Sequence, residues 1–277
     1  MPEKRGLVVH YDNLRNERRK KGLKELMDMQ SQDRVAIVTG AARGLGAATA
    51  HELAATHAVK VVICDIDQAL VEQVAGEIRK AGGAALAVRV DVSHLPELEE
   101  LVQTAVDQFG RLDILVNNAA ICPRIPIDDM TEVKFDQIID INLKSVFFLS
   151  RAAGNAMKPG KWGRIVNVSS VGGRTGGIYA STVYAATKAG VMSMTKAFAR
   201  HFAPYGINVN CVAPGSVDTR LMAGLSPESL QGTIEGVPLK RLADPLEIAR
   251  VIAFLASEGA SYMTGAILDV NGGAMMP

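Results

Sequence analysis

The sequence predicts a single α/β domain, a doubly wound sheet of about seven parallel strands with helices on both faces. Three observations carry this prediction. Short Val- and Ile-rich runs alternate with amphipathic stretches of helical length. The runs are nearly continuous in apolar residues rather than alternating, as strands covered on both faces require. The first run leads directly into a glycine-rich turn and a helix-like stretch. The strand runs are 35–39, 59–65, 84–90, 112–117, 164–169, 207–212 and 266–270. The helical stretches between them are 44–56, 68–80, 95–109, 131–157, 183–202 and 245–255. Right-handed crossovers wind such units into one sheet, and ligands then bind outside the carboxyl ends of the strands, where the strand order reverses.

Composition excludes several classes. A formal net charge of +1 over 277 residues does not point to nucleic acid or a membrane surface. No apolar run approaches the roughly 18 residues a bilayer span needs. Cys64, Cys122 and Cys211 are far apart with no CxxC pair, which fits a reduced, cytoplasmic compartment, and apolar neighbours mark Cys64 and Cys211 as buried structural thiols. His10, His51, His57, His94 and His201 show no ligand pairing, so no metal site is expected. Residues 1–33 stand apart, with eight basic and six acidic side chains and little apolar period. They read as an N-terminal arm or short helix, solvated or making a subunit contact, and they lack the apolar region of a secretory signal. Residues 34–277 form the folded domain, with no linker or low-complexity tract inside it.

The first strand ends in Thr39-Gly40-Ala41-Ala42-Arg43-Gly44-Leu45-Gly46. Glycines here let the backbone turn tightly and approach a pyrophosphate, which rests on unpaired N–H groups at the positive end of a helix. The spacing is G-x-x-x-G-x-G rather than the commoner G-x-G-x-x-G. Position sharpens the signal, because an acid, Asp65, closes the next strand nineteen residues after Gly46. A carboxylate there accepts from both ribose hydroxyls of NAD and repels the 2′-phosphate of NADP. Ile66 follows, so no adjacent cation offsets that repulsion, although Arg43 could reach a 2′-phosphate and keeps NADP open.

Reactive groups are expected at the same edge. Of the five tyrosines, only Tyr184 has a lysine four residues on, Lys188, and on a helix the two share a face. Such a pair alone is more often a surface contact. Ser169 and Ser170, closing the preceding strand and joined to the Tyr184 helix by a glycine-rich loop, raise it to a candidate site.

On these residues the chain resembles the short-chain dehydrogenase/reductase family from Arg34 onward. The matching motifs are Thr39–Gly46, Asp91-Val92, Asn117-Asn118-Ala119-Ala120, Asn142, Ser170, Tyr184-x-x-x-Lys188 and Pro214-Gly215-Ser216-Val217-Asp218-Thr219. Ala120 replaces the family's usual glycine. Ser170 lies fourteen residues before Tyr184, where thirteen is common. The resemblance implies a Rossmann-type fold and a nicotinamide-dependent oxidoreductase. It assigns Tyr184 as general acid or base, with Lys188 favouring its phenolate and binding the nicotinamide ribose. Ser170 would hold the substrate oxygen, and Asn142 a water near Lys188 for proton relay. The cofactor contacts it implies are Gly40, Arg43, Gly44, Leu45 and Gly46 at the phosphates and Asp65 at the adenine ribose. Asp91 and Val92 would meet the adenine, and Asn117 and Ala119 would line the cleft. Pro214, Gly215, Val217 and Thr219 would meet the nicotinamide.

Substrate is expected to be a small secondary alcohol or ketone beneath a mobile lid formed by 216–238. With NAD favoured, the reading is oxidation of a polyol or hydroxy acid. The alternatives are a 3-oxoacyl reductase using NADPH, or a non-catalytic NAD-binding regulator on the same fold. Against the reductase, Tyr205 stands where acyl-carrier relatives often have Arg before Gly206, although Lys161 keeps a basic residue. Relatives are commonly dimers or tetramers built on the two long helices and the last strand, so a homotetramer is expected.

Overall fold

Five consecutive residues of strand β1 (Val35–Thr39) are almost wholly buried, because alternate side chains enter two different cores. Val35 and Ile37 point to one face and Ala36 and Val38 to the other. The same alternation runs through β2 (Lys60–Asp65), β4 (Ile114–Asn117) and β5 (Gly163–Val168). Strands β3 (Ala85–Arg89) and β7 (Ile267–Val270) are only partly buried, and β6 (Ile207–Pro214) lies inside β7. All pairings are parallel, in the order β3-β2-β1-β4-β5-β6-β7. The computed structural model describes residues 34–177, 181–219, 222 and 225–276, and the arm expected over 1–33 lies outside them.

Helices α1 (Gly44–His57) and α2 (Gln68–Lys80) pack on one face, and α3 (Leu95–Phe109) on the other. The stretch read as one helix over 131–157 is divided. Helix α4 (Glu132–Ile139) passes through a π-helical turn, Asp140–Lys144, into α5 (Ser145–Met157). There Ser145 N–H donates five residues back to Asp140 O, opening the ladder around Asn142. Asn142 then donates its side-chain amide to Ile121 O (2.8 Å) and accepts from Ile121 N–H (2.9 Å). A single turn α6 (Gly172–Thr175) precedes the 21-residue α7 (Thr182–Phe202), capped by Ser181. The region read as a lid contains a helix that was not foreseen, α8 (Pro227–Gly236), started by a Ser226 cap and Pro at its first turn. Helix α9 (Pro245–Leu255), opened by an Asp244–Glu247 capping box, packs its Ile248 and Ile252 face onto the α1 side.

Strand order reverses between β1 and β4, and the crevice above their carboxyl ends is where a ligand is accommodated in this architecture. The opposite edge is locked by charge. Arg34 before β1 and Arg164 in β5 lie over the Trp162 ring at 3.6 and 4.3 Å, and Glu258 ion-pairs with both and accepts from Trp162 Nε1 (3.0 Å). Burial opposes ionisation of Glu258, but hydrogen bonding and charge from Arg34, the Arg164 charge and the Trp162 bond hold its carboxyl below the usual range. Glu258→Ala leaves the 3%-exposed Arg164 with an uncompensated charge and is expected to cost about 2–4 kcal/mol. That loss is visible as a lower Tm at neutral pH with kcat unchanged. The folded carboxyl titrates below its unfolded value, so its contribution is full above the unfolded pKa and lost as pH falls through the folded one. The gap between wild type and variant therefore closes in acid; a gap that stays constant down to pH 3 would assign the loss to packing instead.

Candidate active site

Where β1 ends, the backbone turns left-handed at Gly40 (φ 64°), and again at Gly44 (φ 55°). A Cβ on Gly40 would lie 2.8 Å from Ala119 Cα, and one on Gly46 only 2.2 Å from Gly40 O. These contacts are why the sequence needs glycine there: β1, α1 and the chain leaving β4 converge too closely for any side chain. The junction is bonded as well as packed. Asn118 donates to Thr39 O (2.9 Å) and Gly40 O (3.1 Å), while Thr39 Oγ1 accepts from the N–H groups of Asn118 and Ala119. Helix α1 begins over this turn with no side-chain cap on its first N–H groups, so its positive end faces the crevice.

The crevice opens into a cleft of about 660 Å³. Asp65 lines it from the end of β2, accepting from Ala42 N–H and Asp67 N–H, both at 3.2 Å. Arg43 lines it too, and its guanidinium is paired with Asp67 at 3.3 Å. Gly44, Leu45, Gly46 and Ala119 complete that half, and Pro214, Gly215, Val217 and Thr219 descend from β6 along the floor. The cradle without side chains, the uncapped helix end and the carboxylate beyond them fit the pyrophosphate and ribose of a dinucleotide.

At the other half, three predicted groups meet. Tyr184 lies in the first turn of α7, and its phenol hydrogen-bonds with the Ser170 hydroxyl. Ser170 Oγ also accepts from Gly172 N–H at 3.0 Å, so α6 orients it. Lys188, one helical turn after Tyr184, is 3% exposed and donates from Nζ to Val168 O at 2.8 Å. Its ammonium lies 5.7 Å from the Tyr184 ring centre. Burial raises the Tyr184 phenol above its usual pKa, Cys122 repulsion adds to this, and the Ser170 bond only partly opposes it. Burial lowers Lys188 to about 8, against the opposing pull of Cys211 and Cys122. Tyr184 is therefore a neutral phenol at pH 7 in the protein alone.

Four predicted residues are not among those that line the cleft. Asn117 does tie strands together, donating to Asn167 Oδ1 (2.8 Å) and Ser150 Oγ (2.9 Å), but it is buried behind the cleft. Strand alternation explains the correction, since consecutive residues face opposite ways and Asn118 is the one on the cleft wall. Asp91 lies beyond β3, outside the residues lining the cleft, with Oδ1 accepting from Ser93 Oγ and N–H, which lower its pKa. Val92 packs against the core on the α3 side. Asn142, expected to hold a water near Lys188, commits its side chain to the N–H and the carbonyl of Ile121. Cys64 and Cys211 are buried thiols as expected, whereas Cys122 lines the cleft. Cys122 and Arg124 were not read as cleft residues because no periodicity or motif marks a loop after a strand.

A parallel doubly wound sheet with a phosphate-ready turn at its switch point and a Ser–Tyr–Lys group on the same edge defines a dinucleotide-dependent oxidoreductase. A family model described as Enoyl-(Acyl carrier protein) reductase matches residues 40–275. The cis-4-hydroxycyclohexanecarboxylate dehydrogenase of Sinomonas cyclohexanicum is 44% identical over 87% of this chain and 96% of its own length. A 3-oxoacyl-[acyl-carrier-protein] reductase of Synechocystis is 40% identical over 87% and 97%. The crystal structure of gox2181 superposes with a TM-score of 0.85 at 36% identity, covering 90% of this chain and 99% of that one. The chain belongs to the short-chain dehydrogenase/reductase family. It is an NAD(P)-dependent oxidoreductase of the alcohol dehydrogenase/ketoreductase class, acting on a small molecule with a nicotinamide cofactor. Among the described residues no helix is long and apolar enough to cross a membrane.

Proposed function

We propose that this protein is an NAD-linked dehydrogenase that oxidises the secondary alcohol of a hydroxy acid or polyol. The observation that carries the reading is the convergence of Ser170, Tyr184 and Lys188 in one cleft with the glycine turn and Asp65. A nicotinamide held in this cleft would supply the acceptor for the hydride of the carbinol carbon. Tyr184 takes the hydroxyl proton in oxidation and returns it in reduction. Ser170, already oriented by Gly172 N–H, hydrogen-bonds the same oxygen as charge develops on it. Lys188 favours the phenolate by its charge and holds the cofactor ribose. Gly40, Gly44 and Gly46 seat the pyrophosphate, and Ala119, Pro214, Gly215, Val217 and Thr219 bound the rings. Asp91 and Val92 contact the adenine from the rim, and Asn142 acts by holding the wall at Ile121.

NAD is favoured over NADP because the Asp65 carboxylate repels a 2′-phosphate and the nearby cation, Arg43, is engaged by Asp67. The hydroxy-acid reading is supported by the substrate named for the Sinomonas relative, a ring carrying both a hydroxyl and a carboxylate. We place the protein in a reducing compartment, the cytoplasm, because Cys64, Cys122 and Cys211 are free thiols. We also propose a homotetramer, supported by partly exposed Phe135 and Phe147 on α4 and α5, which light scattering tests. The residues preceding Arg34 form an appendage to a one-domain enzyme in this reading.

The test is a panel of secondary alcohols with NAD and NADP, and of ketones and a 3-oxoacyl thioester with NADH and NADPH, followed at the reduced-nicotinamide absorbance. Turnover of hydroxy acids or polyols, faster with NAD, is expected. A preference for the thioester with NADPH would instead support the reductase reading, and tight NADH binding without any turnover would support a regulator.

A further inference from the structure

We propose that Ser169 is a positioning residue for the reaction: its buried hydroxyl fixes the backbone of α7 at Lys188 and so sets where the lysine's ammonium stands beside Tyr184. The inference rests on the roles proposed above for Tyr184 and Lys188.

The sequence offers two adjacent serines, and the structure gives them different work. Ser170 hydrogen-bonds with the Tyr184 phenol. Ser169 is 3% exposed, and its hydroxyl donates to Lys188 O at 2.7 Å. That bond spends the one proton a hydroxyl has, so Ser169 keeps none for a substrate oxygen. The residue before it completes the grip, since Val168 O accepts from Lys188 Nζ at 2.8 Å. Two consecutive residues at the end of β5 thus hold the lysine by its carbonyl and by its ammonium. A lysine head rides on a flexible four-carbon stem. With the backbone end loose, the head could reach Val168 O from several stem conformations, each at a different distance from the phenol.

The holding segment is itself fixed. Ser169 N–H donates to Val212 O and Val171 N–H to Pro214 O, both at 2.8 Å, which ties the segment to β6. Helix α7 meets it again one turn on. A Cβ on Gly173 would lie 2.8 Å from both Lys188 C and Ala189 N, so α6 sits directly against the helix at that residue. One short stretch, residues 168–173, therefore sets the ammonium, the lysine backbone and the phenol's partner together. Removing the Ser169 hydroxyl leaves the α6 contact in place, so the helix is expected to shift locally rather than detach.

The experiment is a double-mutant cycle of Ser169→Ala and Lys188→Met, with Ser169→Thr as the rescue, on the best alcohol of the panel. Ser169→Ala is expected to lower kcat about 10–100-fold, the cost of misplacing a working group by up to an ångström, with KM for the alcohol nearly unchanged. Ser169→Thr keeps the donor and should recover most of that loss. Should the extra methyl prevent folding, Ser169→Cys, a weak donor of similar size, should fall between wild type and alanine. In the Lys188→Met background the alanine substitution should change the single-turnover rate less than about threefold, since no ammonium is left to position. Thermal melts without cofactor give a readout independent of turnover. The bond goes to a backbone carbonyl, so Ser169→Ala should lower Tm by about 2–4 °C in both backgrounds. An unchanged kcat or an unchanged Tm in Ser169→Ala, or an activity loss of equal factor in both backgrounds, would overturn the proposal. If Lys188→Met is impaired and Ser169→Ala is not, the positioning proposal alone fails. If Lys188→Met is as active as wild type, or wild type turns over no alcohol or ketone, the underlying reading fails and this inference with it.

Discussion

Tyr184→Phe is expected to lower kcat for alcohol oxidation by about 10²–10⁴-fold, the usual contribution of a positioned general acid or base, with cofactor affinity nearly unchanged. The substitution removes one oxygen from a side chain that is otherwise packed, 7% exposed, in the first turn of α7. Ser170 Oγ keeps its bond from Gly172 N–H, so the neighbouring hydroxyl stays in place. The pH profile adds a second readout. Burial and Cys122 hold the phenol above its ordinary pKa, so at neutral pH it bears its proton. That form donates in ketone reduction, while oxidation needs the phenolate. Oxidation by wild type should therefore rise with pH across the neutral to mildly alkaline range, and the residual rate of the Phe variant should not follow it. Single-turnover rates at pH 7 and 9 with saturating cofactor decide the matter; a variant with wild-type rates would remove Tyr184 from the chemistry.

Lys188→Met is expected to separate activity from stability. Loss of the ammonium beside Tyr184 should lower kcat/KM by about 10²–10³-fold, comparable to removing one preorganised electrostatic donor. Stability should move differently, because the wild-type chain buries this charge. Its folded pKa of about 8 lies below the ordinary lysine value of 10.5. Between those two values the unfolded chain holds a proton that the folded chain has released, so raising pH through the window favours the folded state. Below about 8 both states hold the proton and the full penalty of burial is felt. Methionine has no such penalty, although Val168 O loses its donor. Stability of the variant relative to wild type, measured by urea melts without cofactor, should thus be highest near pH 7 and decline toward pH 10. A difference independent of pH would show that the folded lysine titrates normally. The combined outcome, less activity with no loss of stability at neutral pH, is what a charge retained for chemistry implies.

Much of the fold was legible because its signals are local and short in range. The strands could be located from sequence because each of β1, β2, β4 and β5 faces two cores and so admits almost nothing but apolar residues. Helices α2, α3 and α9 coincide with their expected bounds because Asp67, Pro96 and Asp244 with Glu247 mark their beginnings. Helix α8 was missed since its residues are mixed in polarity and, of its ten, only Thr233 is buried. The break between α4 and α5 was hidden for a different reason: the helical period continues through Asp140–Lys144, and only the distant Ile121 shows why the ladder opens.

The amino-acid order alone determined the doubly wound architecture, the glycine turn, Asp65 and the Tyr184–Lys188 pair, because periodicity, turn chemistry and helical spacing all act within a few residues. Tertiary structure decided which of the neighbours Asn117 and Asn118 faces the cleft, that Asn142 clamps Ile121, and that Cys122 and Arg124 share the cavity with Tyr184. Those facts depend on strand alternation and on chain segments twenty to sixty residues apart meeting at one sheet edge, which packing of the whole domain brings about and no local pattern encodes.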